Sequence, residues 1–171
     1  MSKSVHGSDT VLLIDDQIGD LMWLVDRIED MGFHFACATN EREARTRLEA
    51  IARGEEVYVL AVVDVAMATH DFFSVQEVDQ RFIESSKDSG IRLCRYAREE
   101  LRISPEMLPI AVFTARTDQK VKEAIGALDG VQLFVRHWAE GEGSLDHYIT
   151  GLLEKAKEAG ALETSSGGEN R

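Results

Sequence analysis

No apolar run in this sequence approaches the roughly 20 residues needed to span a bilayer, and the opening MSKSVHGSDT has no apolar core of signal-peptide length. Cysteine is scarce. Cys37 and Cys94 sit far apart in apolar segments, which reads as buried thiols in a reducing compartment and excludes a disulfide framework or a cysteine metal site. Positive charge is also short: 19 Lys and Arg face 31 Asp and Glu, a net charge of −12 that opposes broad contact with nucleic acid or anionic lipid. Neither GxxxxGK[ST] nor GxGxxG occurs, so there is no phosphate-cradling glycine loop of either kind. No short repeat or low-complexity block interrupts the middle of the chain. These absences leave a cytosolic protein with no direct nucleic-acid or membrane role.

What is present is an alternation. The 171 residues suit one domain, and 44% hydrophobic content lets a chain of this size bury a core without staples. VLLID (11–15), FHFACA (33–38), VYVLAVVD (57–64), IAVFTA (110–115) and VQLFV (131–135) read as strands. Between them, residues 18–31, 41–53, 91–101, 118–128 and 145–158 carry helical spacing, with Asn40 and Ser144 as N-caps. Five βα units in series predict an α/β fold, a doubly wound, five-stranded parallel sheet. The flavodoxin-like order 2-1-3-4-5 is among the commonest such arrangements. Residues 1–9 read as a flexible N-terminal tail, 10–159 as the domain, and the small, polar 160–171 as a disordered C-terminal tail.

The third strand poses a chemical problem. Seven apolar residues, 57–63, lead straight into Asp64, and an ionised carboxylate is costly to bury unpaired. Strand one likewise ends in Asp15-Asp16. In the predicted order strands one and three are neighbours, so three carboxylates converge on one sheet edge, where ligands of open α/β sheets bind. Any one of them could be a plain turn former or cap. Three together repel unless a proton or a cation joins them, and a hard divalent ion such as Mg2+ fits such a cluster. Strand four brings Thr114-Ala115 to the same edge, a hydroxyl beside a small residue, and strand five ends in the cation Arg136. A metal-holding pair, a nucleophilic carboxylate, a hydroxyl and a cation are the parts needed to move a phosphoryl group onto an aspartate.

VLLIDD, VVDVAM and VFTA together resemble the response-regulator receiver domain of two-component signalling, over about residues 10–159. DSGIRLCRYARE resembles that family's third helix. The resemblance implies that Asp15 and Asp16 are the acidic pair, Asp64 the phosphoacceptor, Thr114 the strand-four hydroxyl, and that the backbone carbonyl of Ala66 completes the Mg2+ site. Met67 also stands where the family has a methionine. Three departures stand out. Arg136-His137 replaces the family's lysine–proline pair, exchanging a compact ammonium for a planar fork and predicting a trans peptide bond. Leu133 occupies the position of the family's switching aromatic, and strand alternation sends Leu133 and its neighbour Phe134 to opposite faces. The loop after Met67 is longer, an insertion at about 68–89 with apolar residues 72, 75, 78 and 82 at helical spacing. That stripe either packs on the domain or forms a lid or docking surface over the acidic site.

The function these residues imply is a stand-alone receiver. It would take a phosphoryl group on Asp64 from a sensor histidine kinase or phosphotransfer protein and signal to a downstream protein target. The alternative is a phosphorylation-independent interaction module, which Arg136, His137 and the insertion favour. A true enzyme of the aspartyl-phosphate phosphatase type needs a second aspartate two residues past the nucleophile, where Ala66 stands, so activity is limited to self-phosphorylation and self-dephosphorylation.

Overall fold

The structure, a computed structural model, describes residues 9–67, 87–136 and 143–166. Five parallel strands form one sheet in the order β2-β1-β3-β4-β5, as the alternation predicts. They are β1 (Thr10–Ile14), β2 (His34–Ala38), β3 (Leu60–Val63), β4 (Ile110–Thr114) and β5 (Val131–Val135). The helices are α1 (Met22–Asp30), entered through a 3-10 turn at Ile18–Leu21, α2 (Glu41–Ala52), α3 (Ser89–Arg95), α4 (Gln119–Gly126) and α5 (Gly143–Ser166).

The strand sequences dictate two cores. Alternate residues of β1 point to opposite sides: Leu12 and Ile14 join the cluster under α2, α3 and α4, while Val11 and Leu13 join the one under α1 and α5. β3 is buried at all four positions, as an apolar strand covered on both faces must be. Leu133 packs toward the first cluster and Phe134 toward the second, so these neighbours do part company. Both cysteines are free, Cys94 buried and Cys37 half-buried.

Local signals set most helix boundaries. Asn40 caps α2 by accepting the Glu43 N–H at 2.9 Å, and the Glu43 carboxylate turns back to the Thr39 N–H at 2.8 Å. Asp118 caps α4 in the same way through Val121 N–H. Four expectations need correction. β3 starts at Leu60, not 57, because Val57 is exposed outside the ladder. The helix predicted over 91–101 starts earlier, at Ser89, and after Arg95 widens into a π-turn, Tyr96–Glu100. α5 begins at Gly143, so Ser144 lies inside its first turn and is not its N-cap. The same helix runs on to Ser166, so the tail expected from residue 160 opens as helix. Alanine, leucine and glutamate at 161–163 are strong helix formers, and polarity alone does not stop a helix. The expected N-terminal tail up to residue 8 and all of the insertion up to residue 86 lie outside the described residues.

Candidate functional site

The carboxyl edge of the sheet carries the site, and the sheet itself sets its positions. Asp15, Asp64 and Arg136 each stand one residue past a strand, yet each backbone N–H still makes the next ladder bond. Asp15 N–H donates to Ala38 O at 3.1 Å, Asp64 N–H to Ile14 O at 2.9 Å, and Arg136 N–H to Thr114 O at 2.7 Å. Their side chains are thereby fixed by the ladder, not by loop conformation.

Asp15, Asp16 and Asp64 meet, each offering one carboxylate oxygen, with all three oxygens within 4.8 Å of one another. Asp15 is 1% exposed. Its Oδ1 accepts the Gln17 N–H at 2.8 Å and its Oδ2 accepts from the Arg136 guanidinium at 3.0 Å. Burial first, and then the charge of Asp15, push the Asp64 carboxyl up to about 6; Arg136 and the backbone N–H groups of Ala66 and Val65 pull the other way. Negative charge here exceeds what the protein's own cations offset. Three convergent hard oxygens with that excess are a donor set able to coordinate a divalent metal.

Thr114 closes β4 and is 1% exposed, its hydroxyl oxygen accepting the Arg116 N–H at 3.2 Å. Arg136 lays its guanidinium over the Phe113 ring at 4.6 Å, and Phe113 in turn meets Trp23 edge-on at 6.0 Å. The sequence-derived residues Asp15, Asp16, Asp64 and Arg136 are therefore brought together, with Ala66 on the loop leaving Asp64 and Thr114 on the adjoining strand. His137 lies outside the described residues, and with it the predicted trans bond.

Two positions that sequence reasoning passed over hold the site loop in place. Ser89 is fully buried; its hydroxyl accepts the Met67 N–H at 3.0 Å and donates to Val65 O at 3.3 Å, tying both neighbours of Ala66 to the start of α3. Gly90 donates its N–H to Val65 O at 2.8 Å, and a Cβ there would fall 2.0 Å from the carbonyl oxygen of Asp64. The signal was the Ser-Gly pair opening a helix: two small residues where backbone must meet backbone. A charged cluster on the rim was also missed. Arg116 donates to Asp88 at 2.7 Å, to Lys87 O at 2.7 Å and to Asp118 at 2.9 Å, while Lys120 pairs with Asp88. It fastens the segment after β4 to the entrance of α3.

Several solved structures similar to this one are response regulators. A two-component response regulator from Clostridium difficile superposes with a TM-score of 0.59 at 16% identity, over 85% of this chain and 95% of that one. The response regulator TrrA from Thermotoga maritima, in complex with Mg2+-BeF, matches with a TM-score of 0.57 at 17% identity, over 84% of this chain and 97% of that one. The chemotaxis protein CheY4 of Vibrio cholerae matches at 0.54 and 17% identity, over 85% and 98%. The chain has the receiver fold. No protein-family model matches it, and no curated protein does. On that receiver fold the Asp15, Asp16 and Asp64 cluster sits at the carboxyl edge of the sheet, where β1 and β3 are neighbours.

Proposed function

We propose that this chain is a receiver that accepts a phosphoryl group on Asp64. The observation that carries the reading is the convergence of Asp15, Asp16 and Asp64 to within 4.8 Å at the carboxyl edge of a receiver fold. Asp64 Oδ is the nucleophile toward the phosphorus of a phosphohistidine on a sensor kinase or phosphotransfer protein. A P–O bond forms as the P–N bond breaks; the P–N electron pair returns to the ring nitrogen, and the ring, already carrying a hydrogen on its other nitrogen, departs as neutral imidazole. Asp15, Asp16, Asp64 and the Ala66 carbonyl would hold Mg2+, which when bound offsets charge on the phosphoryl oxygens. The Thr114 hydroxyl and the Arg136 guanidinium are the protein's own groups for that charge. A phosphorylated Asp64 carries about one and a half to two negative charges in place of the carboxylate's one, together with three strong acceptor oxygens, enough to bias a two-state surface read by a downstream protein. Reduced thiols at Cys37 and Cys94 suit a cytoplasmic setting.

The test is incubation with acetyl phosphate, or with beryllium fluoride as mimic, with and without Mg2+. Phosphate-sensitive gels and intact-mass measurement should show one Mg2+-dependent phosphorylation that Asp64→Asn abolishes. A second reading, a phosphorylation-independent interaction module, is favoured by the Arg136–Asp15 ion pair, which already occupies one of the carboxylates. No Asp64-dependent labelling under any of these conditions would select it.

A further inference from the structure

Among the described residues, Arg136 and Asp15 form the most enclosed ion pair: the two side chains are 19% and 2% exposed, and the N–O distance is 3.0 Å. The pair is built, not incidental. The Arg136 backbone is fixed to Thr114 O, its guanidinium carbon lies over the Phe113 ring, 4.6 Å from the centroid, and Asp15 is oriented by the Gln17 N–H on its other oxygen. A planar fork can stack and bridge at once, which an ammonium cannot. One feature of the arrangement is incomplete. The Arg136 Nε–H is buried and has no hydrogen-bond partner among the described residues, so those residues satisfy the guanidinium only in part.

We infer that Arg136 is a tethered counter-ion for Asp15, and that it must leave Asp15 for a divalent ion to bind the three carboxylates. The inference rests on the proposed reading of that cluster as a metal site. Two cations cannot both sit against Asp15 Oδ2 without strong repulsion, and the low solvent exposure leaves little screening. The unsatisfied Nε–H lowers the cost of that departure, and the aromatic face gives the guanidinium a surface to slide on. Metal affinity is thus set partly by Arg136, through Asp15, and metal binding and the position of Arg136 are one coupled event.

The test is a cycle of Mg2+ affinities by isothermal titration calorimetry. Arg136→Met keeps the length and apolar contact without the charge, and should tighten Mg2+ binding about tenfold, the scale of a coupled pair in direct contact. In an Asp15→Asn background the same change should alter affinity less than about twofold, since the pair is already gone. Equal tightening in both backgrounds would mean that Arg136 acts only as a distant charge, and would overturn the inference, as would no tightening by Arg136→Met, or no Mg2+ binding by the unsubstituted protein and Arg136→Met alike. The unsubstituted protein gives a second measurement: the Arg136 Nε–H resonance should shift with Mg2+ and saturate with the calorimetric isotherm, and a resonance indifferent to Mg2+ overturns the inference whatever the variants do. Phosphorylation is scored apart. Asp64 labelling with no Arg136 effect on Mg2+ sinks this inference and leaves the receiver reading intact; the affinity cycle without labelling does the reverse.

Discussion

Asp64→Asn should make this protein more stable, although it removes the proposed nucleophile. The carboxyl titrates at about 6 in the folded protein, against an ordinary 3.8. Between those two pH values the folded chain holds a proton that the unfolded chain has lost, so stability falls as pH rises through the window and stays low above it. At about 1.4 kcal/mol per pH unit, the ionised carboxylate costs the folded state about 3 kcal/mol at pH 8, an upper figure that residual solvent exposure reduces toward about 2. Asparagine keeps the shape and one oxygen for the Val65 and Ala66 N–H groups, and has no charge to desolvate. Urea unfolding in EDTA should therefore show the variant about 2–3 kcal/mol more stable at pH 8 and nearly equal to the unsubstituted protein at pH 4. Saturating Mg2+ should narrow the difference at pH 8, because it stabilises the carboxylate form and not the amide. A variant no more stable at pH 8, or a gap that does not change between pH 4 and 8, would refute the argument that burial and Asp15 hold Asp64 under electrostatic strain.

Three further substitutions test the frame around the site. Gly90→Ala places a Cβ 2.0 Å from Asp64 O and 2.7 Å from Val65 Cα; it should cost at least about 3 kcal/mol by urea unfolding, or shift the Asp64 and Ala66 amide resonances as the loop is pushed away. Arg98 donates to the carbonyls of Leu108 at 2.8 Å, Ile103 at 3.0 Å and Asp129 at 2.8 Å; Arg98→Met should cost about 2–4 kcal/mol and hasten amide exchange across 101–108, and no change in exchange there would deny it the bracing role. Thr114→Val keeps the β-branched shape but strands the Arg116 N–H that the hydroxyl accepts at 3.2 Å; about 1 kcal/mol of stability should go, while Thr114→Ser should retain it.

The sheet was legible because its strands are short apolar runs separated by helical spacing, and a fully apolar β3 has only one place to go, the middle. The acidic cluster followed from topology alone: residues at the ends of adjacent parallel strands must share an edge, whatever their loops do. Boundaries were less legible where tertiary contacts decide them. The π-turn at Tyr96–Glu100 is invisible to a 3.6-residue period, since the Leu101 N–H reaching Tyr96 O is stabilised from outside by Arg98 gathering carbonyls of three segments. Ser89 and Gly90 escaped notice because they carry no evident chemistry; their importance lies in how closely α3 approaches the Asp64 loop, a distance that no residue type announces by itself.

The lysine-to-arginine difference shows most clearly why side-chain identity and side-chain placement are separate facts. Sequence alone fixes only that a cation follows β5. Its reach depends on the ladder bond to Thr114 O, which sets the direction of departure, and on Phe113, whose ring face lies beneath the guanidinium. Phe113 was read only as part of strand four, yet it is the surface over which the arginine sits: the guanidinium lies over its ring while Nη2 reaches Asp15, two contacts that the extended fork of nitrogens makes at once. Phe113→Leu should therefore loosen Arg136 from Asp15 and lower the Asp64 carboxyl's dependence on Arg136, without touching a charged residue. Titration of Asp64 by NMR should then move to higher pH, because the cation that opposes Asp15 has drifted away. An unmoved Asp64 titration would mean that the ion pair needs no aromatic floor.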